Sequence, residues 1–196
     1  GDRVYAVCKG KLMVLFQVGK KGFSAGMNIL GAHIDSPRLD LKPNPLYETD
    51  GFAMLKTHYY GGIKKYQWVT LPLALHGVVA KKDGSLVKIC IGEDPSDPVL
   101  GITDLLPHLS KDQNGKTLAE AFTGEDMNIS FGSLPAEQDG EDAKDRYKKN
   151  ILDLLKAKYD ITEEDFNSAE LEIVPAGEAR DYGLDRSMIL SYCHDD

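Results

Sequence analysis

The sequence predicts an α/β fold (α+β within this stretch of chain), because short apolar strand patterns precede and follow a helical stripe in a chain of ordinary globular composition. Hydrophobic residues make up 42% of the 196 positions and charged residues 28%, which excludes a disordered or low-complexity chain. The net charge of −8 disfavours binding to phosphate backbones. No apolar run approaches the roughly 20 residues that a membrane-spanning helix needs. We therefore expect a cytoplasmic protein with no nucleic-acid or membrane partner. Because the chain starts at Gly1 rather than Met, we also expect it to be part of a longer protein.

The first part of the chain is predicted to form strands that end at a sheet edge. Leu12–Val18 is a nearly continuous apolar run rich in β-formers, and a glycine-rich loop follows at residues 19–26. Met27–Ala32 is apolar again and is predicted to form a buried strand that runs into the polar segment His33–Pro37. Because ligands of open α/β sheets bind at the edge where strands end, this polar segment is a candidate ligand site.

The middle of the chain contains the clearest hairpin pattern. Val69–Ala80 and Ser85–Ile91 are rich in β-formers, and Lys82-Asp83-Gly84 between them is typical of a tight turn. Because the strands carry apolar residues on both faces, we expect both faces of the hairpin to be covered by other parts of the protein. Ile102–Leu109 follows and is predicted to form a short helical turn that contains His108.

One helix and one further strand are predicted in the last part of the chain. A charged stretch at residues 139–144 opens the helix. Thr162 and Asp165 have the spacing of a capping box, and residues 171–175 alternate as a strand that Pro175 stops. The apolar stripe of the helix consists of Tyr147, Ile151, Leu154 and Leu155.

The cysteines and the glycine-rich segments exclude several classes of site. Cys8, Cys90 and Cys193 have no C-x-x-C spacing, which argues against a disulfide framework or a thiolate zinc cluster, so we expect buried free thiols. The glycine-rich stretches lack the spacing of a P-loop or a dinucleotide fingerprint, and the sequence has no G-x-S-x-G elbow.

Three groups of residues could carry chemistry. His33 and Asp35 point the same way from an extended segment, so they could bind a metal ion, or they could be a hydrogen-bonded histidine and a turn-starting acid. Residues 193–196 combine a thiol, an imidazole and two carboxylates, which fits either a bridging metal ligand or a solvated tail. His108 could donate to a reacting oxyanion, pack in the core or lie on the surface.

Several long motifs resemble those of aspartyl aminopeptidase-type metallopeptidases. Residues 28–40, Asn-Ile-Leu-Gly-Ala-His-Ile-Asp-Ser-Pro-Arg-Leu-Asp, resemble the metal-binding signature of that family. The resemblance implies a hydrolase, a metal-dependent aminopeptidase that releases N-terminal residues from peptides through a metal-bridging water. It also implies two divalent metal ions as cofactors, with zinc expected and cobalt or manganese as alternatives. Further similar stretches, the last typical of the bacterial branch, are residues 42–47, 60–68 and 183–189.

The resemblance also implies roles for four residues. By position, His33 matches a metal ligand, Asp35 the carboxylate behind it, and Asp196 the metal-bridging aspartate, with Asp195 as the alternative register. His108 resembles the histidine of the lid that reaches a neighbouring subunit's active site and steadies the tetrahedral intermediate. The paired glutamates of the family, one of them the general base, correspond to positions after Asp196, so we expect this chain alone to be inactive.

The implied architecture is an α/β peptidase domain interrupted by a β-rich lid or dimerisation domain. Residues 1–69 would open the peptidase domain, residues 70–175 would form the lid, and residues 176–196 would return to the peptidase domain. The expected partners are peptide substrates and further copies of the protein, which assemble through the lid into a homo-oligomer. The alternative hypothesis is a non-catalytic oligomerisation module.

Overall fold

A computed structural model of the chain describes residues 1–33, 36–137 and 144–192, which form two compact units. One unit consists of residues 1–33, and the other of the remaining described residues. The strands of the described residues are β1 (Arg3–Cys8), β2 (Leu12–Gln17), β3 (Arg38–Thr49), β4 (Phe52–Tyr60), β5 (Leu73–Ala80), β6 (Leu86–Ile91), β7 (Ile129–Gly132), β8 (Ala169–Pro175), β9 (Arg180–Tyr182) and β10 (Met188–Leu190). The α-helices of the same residues are α1 (Lys111–Asn114), α2 (Leu118–Ala121) and α3 (Arg146–Tyr159).

The first unit is an antiparallel hairpin followed by an irregular segment. β1 and β2 pair from Arg3 opposite Gln17 to Cys8 opposite Leu12, which confirms the strand predicted at residues 12–18. The buried strand predicted at Met27–Ala32 is wrong, because that segment is irregular and its Leu30 is 99% exposed. An extended segment becomes a strand only when a neighbour supplies ladder hydrogen bonds, and none of the described residues pairs with this one.

The second unit is built on an antiparallel sheet with the strand order β6-β5-β8-β3-β4-β7. The predicted hairpin is confirmed as β5 and β6, which pair from Leu75 opposite Ile91 to Ala80 opposite Leu86. The prediction that both faces of this hairpin are covered is wrong. Ile91 and Leu86 lie on opposite faces of β6, and Ile91 is buried whereas Leu86 is 69% exposed. The core side of the sheet carries side chains that are fully shielded from solvent, among them Leu39, Leu55, Leu73 and Ile173.

The predicted helix is α3, which packs against β3, β4 and β7. Ile151 and Leu155 of its predicted stripe are buried, whereas Leu154 is 57% exposed. The capping box is confirmed, because the Thr162 amide donates to Asp165 at 2.7 Å, although the turn that it caps is a 3₁₀-helix rather than an α-helix.

The cysteines and the segment at residues 102–109 differ from the prediction. Cys8 and Cys90 are exposed, so the prediction of buried thiols is wrong for both, and Cys193 lies outside the described residues. The helical turn predicted at Ile102–Leu109 is reduced to a turn at residues 107–109. Within the described part of the chain, no helix has both the length and the apolar character that crossing a membrane requires.

Candidate metal centre

Two of the four predicted site residues are described by the structure. His33 is exposed at the end of the irregular segment of the first unit, and His108 is exposed in the second unit. Asp35 and Asp196 lie outside the described residues. Among the described residues, the unit that contains His33 therefore contains no other predicted site residue. The same holds for the unit that contains His108.

The segment that follows Asp35 in sequence is held by two hydrogen bonds to its backbone. The Tyr192 hydroxyl donates to the carbonyl oxygen of Pro37, which is 155 positions away in sequence. The Arg38 guanidinium donates through Nη1 to the carbonyl oxygen of Ser36 at 3.1 Å. The bond from Tyr192 therefore joins residue 37, which follows His33 and Asp35 in sequence, to the residue that directly precedes the candidate segment 193–196.

The ring of Tyr192 is fixed by the core of the second unit. It meets Trp68 edge-on, with ring centroids 5.5 Å apart and an angle of 89° between the planes, and Trp68 is only 4% exposed. Burial raises the pKa of the Tyr192 phenol far above its ordinary value, and the nearby charge of Arg38 opposes this only in part. The hydroxyl is therefore protonated at neutral pH and available as a donor to Pro37.

Arg38 joins three strands at the same end of the sheet. Its guanidinium lies 4.3 Å from the ring centroid of Tyr60, and its Nε lies 2.8 Å from Oδ1 of Asp40 and 3.1 Å from Oε1 of Glu172. Asp40 and Glu172 are direct cross-strand neighbours, so the two carboxylates would repel each other without a cation between them. Arg38 supplies that cation and holds the start of β3 in place.

His108 lies on a turn that is anchored at its base. The Leu109 amide donates to the Leu106 carbonyl at 2.8 Å, and the hydroxyl of the buried Ser110 donates to the Pro107 carbonyl at 3.1 Å. These bonds fix the backbone on both sides of an exposed imidazole. The imidazole is therefore accessible to a molecule from outside its own unit.

The lowered carboxylate pKa values in the second unit have structural causes. Hydrogen bonds from the backbone and side chain of Thr162 lower the pKa of Asp165, and those from Thr117 lower the pKa of Glu120. Hydrogen bonds from Lys156 and Lys81 lower the pKa of the exposed Asp160 to about 2, helped by the charges of the two lysines. Helix caps and surface ion pairs explain these shifts, so none of them marks a catalytic carboxylate.

The chemistry of the predicted ligands fits zinc, which binds imidazole nitrogen and carboxylate oxygen. Within residues 1–33, 36–137 and 144–192, however, no three or more His, Cys, Asp or Glu side chains are grouped so that they could hold a metal ion. Because a zinc ion takes about four ligands, a zinc site at His33 would require ligands from outside the described residues.

Sequence reasoning missed the contacts that Tyr192 and Arg38 make with Pro37 and Ser36. Arg38 stands inside the motif at residues 28–40, and Tyr192 directly precedes the acidic segment 193–196, so each had a positional signal. The sequence gives no sign that Tyr192 contacts Pro37, because the contact depends on the fold.

Comparison with known proteins agrees with the fold and the motifs. All 196 residues match the family described as aminopeptidase I zinc metalloprotease (M18). The chain is 61% identical over 196 residues to the probable M18 family aminopeptidase 1 of Clostridium acetobutylicum, a match that covers 100% of this chain and 42% of that protein. It is 50% identical over 193 residues to the probable M18 family aminopeptidase 1 of Thermotoga maritima, covering 98% of this chain and 42% of that protein. The chain thus spans about 42% of the length of these curated relatives.

Solved structures of the same two organisms share the fold. The crystal structure of aminopeptidase I from Clostridium acetobutylicum matches with a TM-score of 0.87 at 57% identity, covering 96% of this chain and 41% of that chain. The M18-family aminopeptidase of Thermotoga maritima matches with a TM-score of 0.87 at 49% identity, covering 96% of this chain and 42% of that chain. The predicted α/β fold class and the predicted family resemblance are both confirmed.

Proposed function

The chain belongs to the aminopeptidase I zinc metalloprotease family (M18), and we propose that the whole protein is a hydrolase that releases N-terminal residues from peptides. The observation that carries this proposal is the family match along all 196 residues, since it includes both candidate metal motifs. The contacts around Tyr192 support it, because they join the backbone segments next to those motifs.

We assign His33 and Asp196 as metal ligands and Asp35 as the carboxylate that supports the imidazole ligand. Pro37 is two residues after Asp35, and Tyr192 is four residues before Asp196. The hydrogen bond between Tyr192 and Pro37 thus joins two described residues that are close in sequence to Asp35 and Asp196.

The proposed cofactor is a pair of divalent ions, with zinc first and cobalt or manganese as alternatives. When bound, zinc supplies Lewis acidity toward the scissile peptide carbonyl. The imidazole of His33 would contribute a ligand nitrogen, and the carboxylate of Asp35 would support that ligand. His108 is assigned to donate a hydrogen bond to the oxyanion of the tetrahedral intermediate in a neighbouring subunit, which its exposed position on an anchored turn supports.

Chelator and mutant assays on the full-length protein test this function. We expect release of the N-terminal residue from aminoacyl chromogenic substrates, loss of activity with a chelator, and recovery with zinc, cobalt or manganese. His33→Ala should abolish activity, and His108→Gln should reduce kcat. His58→Ala is the control, because His58 lies at an exposed position of β4, and it should leave both the activity and kcat unchanged. The 196-residue chain alone should be inactive. Cleavage that persists in the metal-free protein would refute the proposal.

A second candidate function, assembly of subunits through the lid, rests on an apolar groove in the second unit. The groove has a volume of about 650 Å³ and is lined mainly by α3, β7 and residues 98–100. Several of its side chains are strongly exposed for apolar residues, including Leu154 at 57% and Val99 at 55%. We propose that a second copy of the protein covers this groove, in accord with residues 70–175 as a lid or dimerisation domain. The domain boundaries and a cytoplasmic location stay predictions.

Light scattering coupled to size-exclusion chromatography tests this assembly. Leu154→Glu places a charge in the groove and should reduce the molar mass to that of a smaller species. Leu118→Glu is the matched control, because Leu118 is 59% exposed but lies in α2, away from the groove. Equal masses for both variants and the unmodified protein would exclude the groove as the interface.

A further inference from the structure

Asn114 is the asparagine of this chain that a glycine follows, since isoleucine, proline or serine follows every other asparagine. It is exposed, and it is the last residue of the four-residue helix α1. In an Asn-Gly pair, the backbone nitrogen of the glycine can attack the side-chain amide carbon of the asparagine, because glycine has no Cβ that crowds the approach. The sequence therefore places a pair with intrinsic chemical reactivity on the surface.

The surroundings of Asn114 and Gly115 leave this attack unhindered. Within the part of the chain that the structure describes, no hydrogen bond holds the side chain of Asn114. A Cβ added to Gly115 would have no described atom within 4 Å, so the backbone there is uncrowded. The Gly115 amide donates to the Gln113 carbonyl, two positions earlier, at the end of a helix that is too short to be stable by itself. The attacking nitrogen is therefore released whenever α1 unwinds.

Two described Asp-Gly pairs could close the same ring, but their carboxylates are engaged. Oδ1 of Asp83 accepts hydrogen bonds from the amide and the hydroxyl of Ser85, at 2.9 Å and 2.6 Å. These bonds lower the pKa of Asp83, and the ionised carboxylate is a poor target for a nucleophile. Oδ2 of Asp50 accepts a hydrogen bond from the Thr49 hydroxyl at 2.9 Å. Asn114 differs from both in that its side chain is neutral and is not held.

The backbone of Asn114 supports the turn that carries His108. The Asn114 amide donates to the Ser110 carbonyl at 2.9 Å, and the Ser110 hydroxyl donates to the Pro107 carbonyl at 3.1 Å. An isoaspartate carries the main chain through its side chain, which lengthens the backbone and is incompatible with helical geometry at that position. Such a change at position 114 would remove the bond to Ser110 and with it the support of the turn.

We propose that Asn114 is a site of spontaneous modification by water, which loosens the turn that carries His108. The Gly115 nitrogen bonds to Cγ of Asn114 as the bond from Cγ to the side-chain nitrogen breaks. The proton of the Gly115 amide is transferred through water to the leaving nitrogen, which departs as ammonia, and a succinimide ring remains. Water then hydrolyses the imide on either side, giving aspartate or isoaspartate at position 114. No oxidation or reduction takes place.

The test follows deamidation in the full-length protein during incubation at neutral and at mildly alkaline pH. Trypsin cleaves after Lys111 and Lys116, so residues 112–116 form one peptide, in which mass spectrometry separates the asparagine, aspartate and isoaspartate forms. The exposed Asn167, which is followed by serine, is the internal reference. Hydrogen exchange of the amides at residues 105–110 is measured before and after the incubation.

Gly115→Ala is the matched control. The residue has a φ of −84° and a ψ of −6°, a helical conformation that alanine adopts readily, and its Cβ has room, so the fold should be retained. The methyl group crowds the attacking nitrogen, and we expect deamidation at Asn114 to slow by about 10-fold. In the unmodified protein the loss of the asparagine form should be faster at mildly alkaline pH, because removal of the amide proton activates the nitrogen.

Each part of the proposal can be overturned separately. Equal rates of deamidation in Gly115→Ala and the unmodified protein, or no faster loss at Asn114 than at Asn167, would show that Asn114 is not a modification site. Amides at residues 105–110 should exchange faster after deamidation and stay unchanged in incubated Gly115→Ala. Unchanged exchange in the deamidated protein would refute the loosening of the turn. No readout uses peptide cleavage, so the result is independent of the proposed function.

Discussion

Replacing Gly77 with alanine should separate the adjacent interior strands β5 and β8. Gly77 has a φ of +144°, and it pairs with Leu171 of β8. A Cβ built on Gly77 would lie 2.0 Å from the carbonyl oxygen of Glu170 and 3.0 Å from Cα of Leu171. These are backbone atoms of a neighbouring strand, which cannot rotate away as a side chain can. The strands must therefore move apart, and their ladder hydrogen bonds lengthen.

The expected magnitude follows from a comparison with Gly84 in the turn between β5 and β6. Gly84 also has a positive φ, +85°, but its added Cβ would have no described atom within 4 Å. Alanine at Gly84 therefore costs only the backbone strain, about 1 kcal/mol. Alanine at Gly77 adds about 1–3 kcal/mol of overpacking and about 1 kcal/mol for a weakened ladder hydrogen bond, giving about 4 kcal/mol in total.

Thermal and urea unfolding of the two variants measure this difference. For a protein of this size, 1 kcal/mol lowers the melting temperature by about 2–4 °C, so we expect a fall of about 8–16 °C for Gly77→Ala and about 2–4 °C for Gly84→Ala. In both variants the free energy of unfolding should fall with urea concentration at the same slope as in the unmodified protein. An equal slope would confirm that unfolding exposes the same amount of surface in all three proteins. Equal losses of stability at Gly77 and Gly84 would refute the claim that the close approach of β5 and β8 requires glycine.

Two further predictions concern polar contacts of the second unit. Glu48→Ala removes the carboxylate that accepts hydrogen bonds from the amides of Tyr147 at 2.8 Å and Lys148 at 3.1 Å, so urea unfolding should show a loss of about 1–2 kcal/mol. Glu48→Gln keeps an acceptor oxygen and should lose less; an equal loss would contradict capping of α3. Asp160 has a folded-state pKa of about 2, below its usual value near 4, so its contribution to stability is present above pH 4 and is lost as the pH falls toward 2. Asp160→Asn should therefore reduce the change of melting temperature with pH between about pH 4 and pH 2. An unchanged dependence on pH would show that the carboxylate is not paired with its lysines in solution.

Features that depend on neighbouring residues could be predicted from the sequence. In the turn at residues 82–84, Oδ1 of Asp83 accepts hydrogen bonds from the Ser85 amide at 2.9 Å and from its hydroxyl at 2.6 Å. In the capping box, the Thr162 amide and hydroxyl both donate to Asp165. In each case the interacting groups are two or three positions apart, so the residue types alone specify the geometry.

Features that depend on distant partners could not be predicted. Met27–Ala32 has the composition of a buried strand, but composition does not say whether a neighbouring strand exists, and the described residues provide none. Ile102–Leu109 has leucines at helical spacing, but Pro107 lacks an amide donor and restricts the residue before it. The Asp104 carboxylate also binds the Leu105 amide at 2.8 Å, which competes with helical hydrogen bonding.

The candidate site divides in the same way. The motif at residues 28–40 is contiguous in sequence, so its resemblance to a metal-binding signature could be recognised and the family assignment followed. The contact between Tyr192 and Pro37 joins residues 155 positions apart and has no local pattern. Only the folded sheet, which places the start of β3 beside Trp68 and Tyr192, brings it about.

The position of the metal motif relative to the sheet has a mechanical consequence. The polar segment at residues 33–37 is predicted to follow a buried strand, whereas the structure places residues 38–40 of the motif in β3, a strand with a neighbour on each side. Arg38 pairs with Tyr60 of β4, and Leu39, which is fully buried, pairs with Ile173 of β8. A residue held by two antiparallel neighbours moves only when the sheet opens, and opening of a central strand requires nearly the full free energy of unfolding. The backbone of Arg38 and Leu39 is therefore as rigid as the core, and a rigid support close in sequence to His33 is what a tightly binding metal centre needs.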